Sequence, residues 1–97
     1  MTRCKEEIQM KKYIAAHMRP NGSNVYLNGG HILVSEQEIV VMYGSREVAR
    51  MDKAQATVEK RQPHLFYCCV QISDGTNGAE IMFFPWTAKK FSKDFGI

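Results

Sequence analysis

Two apolar stretches, residues 64–73 (HLFYCCVQIS) and 79–86 (AEIMFFPW), stand on either side of Asp74-Gly75-Thr76-Asn77-Gly78. That pattern constrains the fold more than any other feature of the chain. Asp, Asn and Gly supply the local caps and the positive φ that tight turns need, and β-branched and aromatic residues suit pleated strands, so the pattern predicts an antiparallel hairpin. Pairing Ser73 with Ala79 across a five-residue turn sets Val70 against Met82 and Cys68 against Phe84. Phe66, Cys68, Val70, Ile72, Met82 and Phe84 then share one face. Leu65, Tyr67, Cys69, Ile81 and Phe83 share the other, near Gln71. A strand with one wet face alternates apolar and polar residues, and in this register neither face is polar. Both faces therefore require cover, from helices of the same chain or from a second molecule.

Other segments fill in an α+β scheme. Residues 2–18 read as an N-terminal helix, with Thr2 as N-cap and Pro20, Asn21 and Gly22 ending it. Val25–Leu27 and His31–Val34 flank Asn28-Gly29-Gly30, a hairpin signal. A second turn falls at 35–38, before the β-branched run 39–43. In 45–61, Val48, Met51, Gln55 and Val58 fall at helical spacing, which predicts a middle helix; a strand pair within 46–59 is the alternative. Thr87 can cap a short C-terminal helix over 87–95, with Ala88, Phe91 and Phe95 on one face and Lys89, Lys90 and Lys93 on the other. The expected order is αβββαββα: one antiparallel sheet of about five strands with helices packed on it.

The chain's 97 residues are one domain's worth. No apolar run is long enough to span a bilayer as a helix, and the charged N-terminus lacks a signal peptide's apolar core, so the expectation is a soluble, cytoplasmic protein without a membrane partner. The three cysteines, Cys4, Cys68 and Cys69, have no framework spacing and read as reduced thiols. Net charge is +3, and all Lys and Arg lie in 1–20, 45–62 and 87–97, the segments read as helices.

Chemistry-bearing motifs are absent. The histidines and cysteines have no metal-ligand spacing, so no metal site and no cofactor are expected. His64 with Cys68 is the only pairing that offers a thiol or small-molecule site, and enzymatic activity is not the expectation. The leading reading is a non-enzymatic protein-binding or regulatory module. It would self-associate as a dimer through Tyr67, Gln71, Ile81 and Phe83, or take an acidic partner against the basic helices. The runner-up is a nucleic-acid-binding domain using Trp86, Lys89, Lys90 and Lys93, with Lys11 and Lys12 second.

Overall fold

The computed structural model describes residues 10–97 and contains nine strands followed by one helix. The strands are Lys11–Ile14 (β1), His17–Pro20 (β2), Leu27–Asn28 (β3), His31–Val34 (β4), Glu38–Tyr43 (β5), Arg46–Asp52 (β6), Thr57–Lys60 (β7), Cys68–Ser73 (β8) and Gly78–Phe83 (β9). They form two sheets, ordered β1-β4-β5-β6 and β3-β2-β9-β8-β7, and every pairing is antiparallel. The helix is Pro85–Phe95 (α1). The α+β order αβββαββα is thus overturned: among the described residues there is neither an N-terminal nor a middle helix.

β1 and β2 are two halves of one bent segment, and β3 and β4 are two halves of its antiparallel neighbour. The bend lies at Ala15 and Ala16. Ala15 N–H donates to the Gly30 carbonyl at 3.0 Å, while Ala16 N–H donates to Met82 at 2.8 Å in the other sheet. One peptide step therefore moves the chain's hydrogen bonding from sheet to sheet, as at a corner of packed sheets. Gly29 and Gly30 sit opposite this corner rather than in a hairpin turn. Gly30 has φ 99°, and a Cβ there would lie 2.8 Å from the Met42 carbonyl oxygen.

That corner also explains why 10–18 reads as a helix. Tyr13 and Ala15 point inward, and then Ala16 and Met18 do. The parity of the alternation flips at the bend, which spreads the apolar residues at near-helical spacing. Residues 2–9 of the expected helix lie outside the described residues. In the middle segment the cause is a bulge. Val41 pairs with Ala49 but Met42 pairs with Glu47, so Val48 is the extra residue. With Val48 out of phase, Ala49 and Met51 alone show the strand period. The segment holds two strands, as in the alternative, but they do not pair with each other: β6 joins β5 in one sheet and β7 joins β8 in the other.

The 74–78 turn is one residue shorter than expected. Ser73 pairs with Gly78, Ile72 with Ala79, Val70 with Ile81 and Cys68 with Phe83. Asp74 Oδ1 accepts from the Thr76 and Asn77 amides at 2.8 and 2.7 Å, closing the loop over four residues. Gly78 belongs to the strand, where a Cβ would come within 2.9 Å of Ser73 Cα. A one-residue shift swaps every side chain of one strand to the other face. Val70, Ile72, Ala79, Ile81 and Phe83 consequently all face the core and are buried. The outer face carries a polar row instead: Arg19, Glu80, Gln71 and Glu59 are consecutive cross-strand neighbours. Arg19 reaches Glu80 at 3.2 Å, and Gln71 donates to Asn21 at 2.9 Å.

α1 begins at Pro85, two residues before the expected Thr87 cap. Proline suits this first position because its missing N–H would have no helical partner anyway. Gly96, left-handed at φ 67°, ends the helix by donating to Ser92. Ala88 and Phe91 are buried, as the expected apolar face requires. The Phe91 ring sits 5.1 Å from Tyr13, 4.9 Å from Phe83 and 4.3 Å from Phe95, so the helix is tied to both sheets' core through one side chain. Burying a phenylalanine contributes roughly 1.5–3 kcal/mol.

Candidate interaction surface

The four residues expected to form an interface do not share a surface. Ile81 and Phe83 are fully buried inside the protomer. Gln71 belongs to the polar row, and Tyr67 is half-buried on the outer side. The expectation placed them together because the assumed register was one residue long.

The outer face does contain two buried apolar residues, Cys69 and Met82, which are cross-strand partners. Residues 61–67 cover them. Arg61 N–H donates to the Cys69 carbonyl at 2.9 Å, extending the ladder past β7. His64 and Tyr67 then pair with each other through two backbone hydrogen bonds, 3.1 and 2.9 Å, which leaves Leu65 and Phe66 as the tip of a two-residue turn. Leu65 is held at φ 57° and is 80% exposed; Phe66 is 59% exposed. Among the described residues Leu65 is the one non-glycine with positive φ.

From this tip a continuous line of rings runs to the helix. Phe66 lies 4.5 Å from Tyr67, Tyr67 5.7 Å from Phe84, and Phe84 5.1 Å from Trp86 with the last two rings parallel within 2°. Trp86 is 70% exposed. Phe84 supports one face of the indole. His17 meets Tyr67 edge-on at 5.2 Å and fixes the middle of the line. The result is an aromatic shelf with Leu65 and Phe66 at one end and Trp86 at the other.

Two clefts border the shelf. One, of about 370 Å³, is lined by His17, Tyr26, Asn28, His64, Leu65, Tyr67 and Met82. The other, of about 450 Å³, lies between β8 and α1. Pro63, Cys68, Val70, Pro85 and Ala88 are among its apolar lining, and Lys60, Arg61, Lys89 and Ser92 supply its polar groups. No carboxylate lines it.

The expected basic patch is divided. Lys89 lines the larger cleft beside the shelf. Lys90 lies over the Tyr13 ring at 5.9 Å, and Lys11 pairs with Asp94 at 3.6 Å, so both neighbour the Tyr13 end of α1. Lys93 is exposed in the last helical turn. Lys12 is exposed on β1, where its charge adds to burial in holding the His31 imidazole below its usual range.

His64 and Cys68 are not assembled into a site. They line different clefts. Burial, with the Glu80 charge second, pushes the neighbouring Cys69 thiol up, away from a reactive thiolate. Cys4 lies outside the described residues. Among the described residues no cluster of three His, Cys, Asp or Glu side chains is placed to hold a metal ion, and no helix is long and apolar enough to cross a membrane.

Leu65, Phe66 and Phe84 are the surface residues that the sequence reading missed. Residues 64–67 read as the start of a strand, and His-Leu-Phe-Tyr has no Gly, Asn or Asp to announce a two-residue turn. Lys60 and Arg61 were hidden in the expected middle helix. Compared with protein-family models, curated proteins and solved structures, the chain matches none.

Proposed function

We propose that this domain is a non-enzymatic protein-binding module whose partner docks on the aromatic shelf from Leu65 and Phe66 to Trp86. One observation carries the reading. Leu65 sits in the left-handed region, which costs an ordinary residue roughly 1–2 kcal/mol, and its side chain is 80% exposed, so it gains almost no burial in return. Strained positions that do not serve the core concentrate at functional sites. Phe66 and Trp86 extend the same exposed apolar surface, and contiguous patches of this kind mark interaction sites. Aromatic residues are also the usual energetic anchors of interfaces.

This surface replaces the one expected from Ile81 and Phe83, and with it the reason for self-association through the hairpin. The test is a photo-crosslinking residue placed at position 66 or 86, with the same residue at the exposed Glu36 as control. Capture of a protein at 66 and 86 but not at 36 supports the reading, and an adduct with a second copy names that copy as the occupant. No adduct specific to those positions contradicts it.

Nucleic-acid binding keeps one specific support. The outer face of the Trp86 indole is open, and Lys89 is three residues along the same helix, so a base would find a stacking face and a phosphate a neighbouring ammonium donor. Steep loss of affinity between low and physiological salt identifies that mode.

A further inference from the structure

We infer that the partner segment is acidic as well as apolar, and that its carboxylates enter the cleft between β8 and α1. This rests on the shelf being the docking surface. The cleft adjoins the two ends of the shelf in sequence: Pro63 lies two residues from Leu65, and Pro85, at the start of α1, precedes Trp86. A peptide anchored on Trp86 and continuing past Pro85 along α1 would meet the cleft. The cleft is lined by three cations, Lys60, Arg61 and Lys89, and by no anion. Among the described residues Lys60 and Lys89 make no ion pair; Arg61 has one partner, Glu59, at 3.4 Å, and both of those side chains are half or more exposed.

Apart from these cations and Ser92 the cleft's lining is apolar, with the buried Val70 and Ala88 as its floor. An occupant bearing charge alone would lose its own hydration over that floor without gaining apolar contacts. One with an aliphatic or aromatic side chain beside a carboxylate satisfies both the floor and the rim. Complementary charge would also speed encounter and reject basic competitors. The polar row of the same sheet offers no comparable site, because Arg19 is already engaged by Glu80, and Tyr26 donates to that same carboxylate at 3.2 Å.

The experiment uses the full chain as bait for a displayed library of random linear dodecapeptides. Enriched peptides are then synthesised and titrated against the wild type, the double variant Lys60→Glu/Lys89→Glu, and Trp86→Ala. The inference expects enriched peptides to combine Asp or Glu with apolar residues and to lose about 10-fold or more in affinity for the double variant, in keeping with reversal of two surface charges. Peptides without acidic bias, or peptides indifferent to the double variant, overturn it. If those peptides still require Trp86, the shelf reading survives and only the acidic cleft is lost. If they require neither, both fail. Failure to enrich any peptide, with or without binding of an oligothymidylate probe at Trp86, also overturns the inference.

Discussion

The Tyr13 hydroxyl donates to the Asp94 carboxylate at 2.6 Å, joining β1 to the last turns of α1 across 81 residues of sequence. The bond depresses the Asp94 pKa, helped by the charges of Lys11 and Lys90. Burial, then the same bond, pushes the Tyr13 phenol well above its usual range. The two shifts act at opposite ends of the pH scale. Asp94 contributes stability that is present above the ordinary carboxylate range, near pH 4, and is lost as pH falls through its lowered folded-state value. Tyr13 contributes stability that is present below about pH 10 and is lost at higher pH, where the unfolded chain ionises and the folded one resists. Urea midpoints from pH 2 to 11 should fall at both ends, and Tyr13→Phe should flatten both falls.

At the sheet corner, Gly30→Ala should destabilise by roughly 2–4 kcal/mol, since it adds a clash with the Met42 carbonyl to an unfavourable positive φ. Gly29 has a similar φ of 101° but open space around the missing Cβ. Gly29→Ala should therefore cost only the conformational part, about 1–2 kcal/mol. Equal losses in chemical denaturation would show that packing at the corner is unimportant.

Phe83→Lys should prevent folding, because it places an unpaired charge in the core. Trp86→Lys should leave the denaturation midpoint within about 0.5 kcal/mol of wild type. Circular dichroism of the two proteins separates the cases. A folded Phe83→Lys protein would mean that the hairpin's apolar residues face outward after all.

These contrasts show what the sequence makes legible. The hairpin within 68–83, the 35–38 turn, the strand at 39–43 and the apolar face of the C-terminal helix all follow from local pattern. Two strand segments were disguised by irregularities that pattern cannot see: the parity flip at Ala15 and Ala16, and the bulge at Val48. The hairpin register depended on whether Gly78 belongs to the turn or to the strand, and the Asn21 amide that donates to the Gly78 carbonyl at 3.0 Å, continuing the β2–β9 ladder, is a tertiary contact. At the site, Trp86 and Lys89 were legible as an exposed aromatic beside a basic residue. Leu65 and Phe66 were not, because their exposure comes from a turn without turn residues.

Whether Leu65 serves the fold or something outside it is decided by the stability of Leu65→Gly. Glycine adopts φ 57° without strain, and almost no packing is lost with so exposed a side chain. The account predicts that the free energy of unfolding rises by roughly 0.5–1 kcal/mol, the left-handed penalty less the extra freedom of glycine in the unfolded chain. A fall in stability would contradict it, by showing that the leucine is kept for the fold itself.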